Sequence, residues 1–480
     1  MPEPGDANPN SHPDVAARVS GWLDLQTDGW IGALVGTYAD PRGARVLEGV
    51  LSQALRLGAR SAIRERNYID RDYRSEYSAF YSAAFRQTPS VATRLHFFSE
   101  PIPSQVADGV EPATLDSLDL TYLGYVVIRP IRAAPVGRSM LAVPETHQRA
   151  LTCIARETIN LFGRDFEVSG FPFIAQDAHF GVCAHADVWM VGYYSYLRHR
   201  DAPRVTPAQL AVGSHQQRAR PIVEAGVHLP EMREMLYSVG FLPTTYNFKS
   251  DRGRHRPHEI AVRYLDSGIP IILAHGGHVV TAIGYRRTTG LVPRIELLVH
   301  DDERGPYLQI GDAGIRYGAW EAMVVPLPPK VWIRADAAEM RAKQAASLQL
   351  ATTGAGRHLN SAIAARQFHW RTVCVESNEF KSTLQTRGAS AAVAVHYQRM
   401  SMPRWIWLVE LIDSAAADHE AVVGEVLWDA TNHHRGGDVL AWRLADQFRI
   451  HEPWEDGRTV PVNVDPASRM LPMRPKGRTW

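Results

Sequence analysis

The chain has 480 residues, of which 45% are hydrophobic and 21% charged, the balance of a folded globular protein. That length exceeds what one ordinary core supports and predicts roughly two to four domains. Lys plus Arg (52) and Asp plus Glu (51) leave a formal charge of +1, which excludes a bulk electrostatic reason to bind nucleic acid or an anionic membrane.

Residues 1–13 are polar and rich in Pro, Gly and Asn, without the basic and apolar regions of a signal peptide, and are expected to form a disordered leader. Region 14–148 reads as α+β without recognisable chemistry. Val46, Leu47, Val50, Leu51, Ala54 and Leu55 form one helical stripe, a second helix covers about Tyr73 to Phe85, and Thr121 to Pro130 reads as a strand that its proline ends.

Region 149–330 opens with an expected helix over Leu151 to Phe162 and continues with helices near Pro230 to Val239 and His258 to Leu265. Strands are expected at Pro270 to Leu273, Val279 to Tyr285 and Arg294 to Val299, and Val325-Pro326-Leu327-Pro328-Pro329 marks a boundary. Region 331–480 starts with a helix over Ala337 to Leu348, passes Gly/Thr punctuation at Thr352 to Gly356, and continues with strands such as Trp405 to Leu411. It ends in a basic, Pro-containing tail from Arg469 onward, expected to be extended and solvated. No internal repeat occurs. The most apolar stretch, Ile269 to Tyr285, is broken by His275-Gly276-Gly277-His278 and falls short of the roughly 18 apolar residues of a membrane span.

Three scattered cysteines, Cys153, Cys183 and Cys374, are too few for a disulfide framework, and the odd number leaves a free thiol. A soluble, cytoplasmic protein is expected. Cys153 and Cys374 sit among apolar residues and read as core, Cys153 on a helical face. Cys183 differs. It follows Gln176 and opens an apolar helical run of Val188, Trp189, Met190, Tyr193, Tyr194 and Leu197. A helix start biases a thiol toward thiolate, the form that attacks carbonyls.

A base is supplied by the segment from Gly268 to Tyr285, in which a strand, a Gly-rich turn and His278 leading into a second strand would hold an imidazole at a rigid edge. After the next strand, Asp301 and Asp302 offer a carboxylate to orient that ring. The order Gln, Cys, His, acid, with Gly-Tyr after the His strand, resembles the papain-like cysteine peptidases and within them the bacterial C39-like branch, over roughly residues 150 to 310. The resemblance implies a papain-like α+β core in which a helix subdomain packs on a small antiparallel sheet. It implies Cys183 as nucleophile, His278 as base, Asp301 as orienter, Gln176 as oxyanion donor, no cofactor and no metal, and a protein or peptide substrate. Asp302 competes with Asp301, because one residue of register swaps the side chain that faces His278. The Cys-Gly-Ser-Cys-Trp motif of plant papains is replaced by Cys183-Ala184-His185, and the Gln to Cys gap is one residue longer than the common pattern.

Other chemistries are poorly supplied. None of His258-Glu259, His419-Glu420 or His451-Glu452 extends to His-Glu-x-x-His, and Gly-x-Ser-x-Gly and phosphate-loop motifs are absent. The crowding of His179, Cys183, His185 and Asp187 lacks a second Cys/His pair at zinc-finger spacing. His433-His434 reads as a solvated loop, and Trp405-Ile406-Trp407 as sheet packing. The expected activity is a cysteine peptidase. An amidase, deamidase or transglutaminase-type acyl transferase would use the same triad. A catalytically inactive scaffold would use the flanking regions to bind a protein partner.

Overall fold

The computed structural model describes residues 19–26, 29–85, 87–102, 121–147, 150, 153–176, 183–199, 201–215, 229–249, 257–288, 294–310, 320–350, 368–413, 421–432, 438–444, 447–451, 459–463 and 470–474. The expected leader, His179, His433-His434 and Thr352 to Gly356 lie outside them. The fold is mixed α+β, as expected. Chain contacts divide it into two compact units, one of residues 1–148, 155–228 and 300–308, the other of residues 149–154, 229–299 and 309–480. Among the described residues no helix is long and apolar enough to cross a membrane.

In the first unit, β1 (Val19–Asp24) precedes α1 (Trp30–Tyr38) and α2 (Pro41–Arg56). Helix α2 starts where its sequence says it should. The Asp40 carboxylate accepts the N–H groups of Arg42 (2.8 Å) and Gly43 (3.1 Å), and Pro41 takes the first turn, where no N–H is needed. Val46, Leu47, Val50, Leu51 and Ala54 are buried as the stripe predicts, each large apolar side chain contributing about 1.5–3 kcal/mol, whereas Leu55 is 48% exposed. Then come β2 (Ser61–Tyr68), α3 (Arg71–Glu76), a π-helical turn over Tyr77–Tyr81, β3 (Ala92–Phe98), β4 (Tyr122–Ile128) and β5 (Val136–Leu141). The five strands form an antiparallel sheet in chain order.

The expected helix over Leu151 to Phe162 is instead strand β6 (Ala155–Leu161), paired with β7 (Arg164–Gly170). The period is two. Ala155, Glu157, Ile159 and Leu161 are buried while Arg156, Thr158 and Asn160 are exposed. Glu157 on the inward face breaks the apolar alternation and hides the strand. The loop Phe162-Gly163, with φ of 55° and 80°, is a two-residue hairpin turn of the kind that needs both residues left-handed. Cys153 is fully buried as expected, in the irregular segment before β6 rather than on a helix. Helices α4 (Cys183–Arg198) and α5 (Pro207–His215) also belong to this unit.

In chain order there follow α6 (Leu229–Ser238), β8 (Leu242–Asn247), α7 (Pro257–Asp266), β9 (Ile271–His275), β10 (His278–Arg287), β11 (Ile295–Asp301), β12 (Gly305–Ile310) and β13 (Ala322–Leu327). The sheet order is β12-β11-β10-β9-β13-β8. Next come α8 (Ala335–Leu350), β14 (Phe368–Glu376), α9 (Ser377–Thr383), α10 (Ala391–Arg399), β15 (Trp405–Asp413), β16 (Ala421–Asp429), β17 (Val439–Leu444), β18 (Gln447–His451) and β19 (Thr459–Asn463). Strands β14 to β19 form an antiparallel meander. Trp405, Ile406 and Trp407 are buried in it, with the Trp407 indole donating to the Ile333 carbonyl at 3.0 Å.

The expected solvated tail is partly core. Met470 and Met473 are buried, the Leu471 N–H donates to the Arg387 carbonyl at 2.7 Å, and the Met473 N–H donates to the Glu410 carboxylate at 2.7 Å. Glu410 and Glu425 lie fully buried beneath, matched by Arg387, Arg371 and Arg443. Buried carboxylates left without such partners would cost several kcal/mol each, roughly, so the returning chain end closes a network.

Candidate active site

Cys183 is the first residue of α4. Its side chain, and residues 177–182 before it, lie outside the described residues. The helix it opens is anchored deep in its unit. Val188, Trp189, Met190, Tyr193 and Tyr194 are all buried, and the Trp189 and Tyr193 rings stack at 5.0 Å. The Tyr193 hydroxyl donates to Glu157 at 2.6 Å, Arg138 donates to Glu157 at 2.8 Å and to Asp70 at 3.1 Å, and the Tyr125 hydroxyl donates to Glu157 at 2.9 Å. A charge network thus ties α4 to strands β4, β5 and β6. His185 and Asp187, on the same helix, are buried.

Gln176 is half-buried and ends a segment that is held from two sides. Phe173 and Ser139 exchange backbone hydrogen bonds at 2.8 Å, and the Ala175 N–H donates to the Val136 carbonyl at 3.1 Å. The Ala175 carbonyl accepts from the buried Arg129 guanidinium at 3.0 Å, while Arg129 pairs with Glu76 at 3.1 Å. Arg129, Arg138 and Glu157 were not singled out in the sequence. The available signal was a charged residue at an inward position of an apolar strand, which is tolerated only when paired.

His278 opens β10 and is half-buried. It stands directly across from His275, joined by Gly276-Gly277 with φ of 57° and 83°. This two-residue turn needs left-handed backbone at both positions, which glycine adopts without penalty. The strands on either side are pinned by buried Ile271, Ile272, Leu273, Val280, Ala282 and Ile283. Beyond the end of β9, β10 also takes the Cys153 N–H on its Ile283 carbonyl at 3.0 Å.

Asp301 closes β11, and Asp302 follows; both are buried. The Asp301 carboxylate accepts the Glu303 N–H at 3.0 Å and faces the Arg304 guanidinium at 3.6 Å. The turn is tight. A Cβ at Gly49 would strike the Arg304 carbonyl, and Gly305 has φ of 123°. Just before it, His300 is fully buried with its ring edge-on to Phe171, Phe173 and Tyr307, and burial pushes its pKa down to about 3. His300 is therefore neutral and structural. Strands β10 and β11 are neighbours in one sheet, and at one end of that pair a ring nitrogen of His278 and a carboxylate oxygen each of Asp301 and Asp302 lie within 4.8 Å of one another. A carboxylate there can fix an imidazole tautomer, and one His with two carboxylates is also a donor set that a divalent cation accepts.

No protein-family model matches the sequence, and no curated protein matches it. Among solved structures, UfSP from C.elegans is similar at a TM-score of 0.23 and 16% identity, over 37% of this chain and 35% of that one. Similarity at that level carries no argument.

Proposed function

We propose that the chain is a papain-like thiol hydrolase that cleaves a peptide or protein substrate, with C39-like order of its active residues. What supports this most is the gathering of His278, Asp301 and Asp302 at one end of β10 and β11, together with Cys183 as the residue that opens α4. His278 takes the Cys183 thiol proton, and the thiolate sulfur bonds to the scissile carbonyl carbon. The Gln176 amide and the Cys183 backbone N–H hold the resulting oxyanion, worth about 10²–10³ in rate per donor. The C–N bond then breaks as His278 returns the proton to the leaving amine. Water, deprotonated by His278, attacks the thioester, the product acid departs, and the thiol is restored. Asp301 orients the ring, and Asp302 is its alternative.

A thiol-directed electrophilic peptide probe tests the reading, with the labelled residue located by mass spectrometry. Cys153 and Cys374 are buried, and burial pushes the Cys374 thiol well above its ordinary range, so they react slowly. Labelling at Cys183 that disappears in Cys183→Ala and falls at least about tenfold in His278→Ala is the expected result. Asp301→Asn and Asp302→Asn then separate the two carboxylates. Labelling indifferent to His278 sinks the proposal. Labelling that a chelator abolishes points to the cation instead.

A further inference from the structure

In the second unit, the last residues of β8 and β9 and the first of β13 meet beside the turn that carries His278. Glu321 immediately precedes β13. Its N–H donates to the Ala274 carbonyl at 2.9 Å, and its own carbonyl accepts the Phe248 N–H at 2.9 Å. The next residue, Ala322, stands across from Ala274 on one side and Asn247 on the other. Sheet pairing on both sides therefore fixes the backbone from which the Glu321 side chain departs.

The carboxylate at that place is engaged from two directions. Lys249 pairs with it at 2.8 Å, and the Asn247 side chain steadies Lys249 by accepting its backbone N–H at 3.0 Å. From the hairpin, the Gly276 N–H donates to the carboxylate, and His275 faces it. The Lys249 hydrogen bond above all, then the Gly276 N–H and the nearness of His275, hold the Glu321 carboxyl below the usual carboxylate range. It is an anion, and one of its hydrogen bonds is to the turn itself.

The N–H of Gly276 is one that a two-residue turn leaves over. His275 pairs with His278 across the hairpin, and the two glycines between them are left-handed and exposed. A Cβ built on either glycine would meet open space, so packing does not wedge the tip there. Glycine is also the residue with most conformational freedom to lose. The two glycines set the shape and register of the turn. A charged acceptor on Gly276, roughly twice as strong as a neutral one, sets where the finished tip lies.

We propose that Glu321 is a positioning residue for His278, a role that rests on the thiol hydrolase reading: its carboxylate anchors the hairpin tip through the Gly276 N–H and so keeps the imidazole in the orientation that serves as base. Lys249 is the support of the anchor, because it holds the carboxylate ionised and aimed at the turn. Glu321 itself moves no proton and touches no substrate. Its loss frees the tip, and a base displaced by about 1 Å can lose on the order of 10²-fold in rate while the fold stays intact.

The full-length protein is compared with Glu321→Ala and with Glu321→Gln, which keeps an acceptor oxygen for Gly276. Both variants remove the same charge, so the difference between them reads the hydrogen bond. Labelling of Cys183 by the electrophilic peptide probe should fall at least about fivefold in Glu321→Ala and less than about twofold in Glu321→Gln, with the urea midpoint unchanged in both. The step in the pH profile of Cys183 alkylation should move up in Glu321→Ala alone. By NMR of protein labelled with nitrogen-15 glycine, the Gly276 amide should exchange slowly in the wild type and in Glu321→Gln and fast in Glu321→Ala, a readout that needs no thiol and, in the wild type, no variant. Free exchange of Gly276 in the wild type, equal losses of labelling in the two variants, or full labelling of Glu321→Ala where His278→Ala abolishes it would each overturn the proposal. Labelling that His278→Ala leaves unchanged would overturn the thiol reading instead, and the role of Glu321 with it, even with Gly276 protected.

Discussion

The two halves of the proposed chemistry are held in opposite ways. Helix α4, which Cys183 opens, is fixed by side chains: Tyr193 and Arg138 converge on buried Glu157, and Arg138 reaches on to Asp70. The hairpin that carries His278 is fixed by backbone conformation, with two left-handed glycines setting the register of β10 against β9. The difference teaches where each is vulnerable. The first should fail through a lost charge partner, the second through a Cβ added at the turn.

The largest expected effect is at Arg138. Arg138→Met leaves Glu157 and Asp70 buried without their cation and should cost about 3–5 kcal/mol by denaturant unfolding. Pairing it with Glu157→Gln should recover part of that loss. A cost under about 1 kcal/mol would mean that the network does not hold α4. A smaller loss is expected at the hairpin, where Gly277→Val forces a β-branched residue to φ of 83° for about 1–2 kcal/mol. Cys183 labelling should nevertheless fall far more than stability does, because His278 is one residue away. A parallel fall in both would erase the distinction.

The pH dependence of stability is smaller still. The pKa of His300 is lowered to about 3 and that of His96 to about 4, both through burial. The unfolded chain binds protons there near pH 6.5, so stability is complete above that value and is lost as pH falls toward 3 to 4. Asp72 acts with the opposite sign. Burial and the neighbouring Asp70 raise its pKa to about 6, so the stability of its protonated form is present below about pH 4 and is lost as pH rises toward 6. His300→Phe, which suits the aromatic cage, should flatten the acid limb of a thermal-stability curve, and an unchanged limb would contradict the assignment. The smallest effect is on β6 itself. Arg156 pairs with Glu167 at 3.4 Å, both largely exposed, and Arg156→Ala should cost below about 1 kcal/mol. Its buried neighbour Glu157 sets the contrast on a single strand.

How much of this was legible follows the same division. The stripe of α2, strand β4 and the β9 and β10 hairpin announce themselves because periodicity and turn residues are local. Strand β6 is hidden in the sequence because a buried Glu stands where the alternation requires an apolar residue, and its partners Arg138 and Tyr193 are distant in sequence. The tail is hidden for a similar reason. Met470 and Met473 sit in Pro-rich, basic sequence, and only the distant Arg387 and Glu410 explain why that stretch is core. His278 and the two aspartates were legible as a set from their strand ends, whereas Arg129, which holds the segment ending at Gln176, was not.

The central claim is that Cys183 is a thiolate sustained by His278, and the pH dependence of its alkylation measures this directly. Iodoacetamide modification of Cys183 should show a step well below about pH 8, where an unperturbed thiol titrates, and His278→Ala should move that step up to the ordinary range. A single step near the ordinary thiol value in the wild type, unmoved by His278→Ala, would contradict the account.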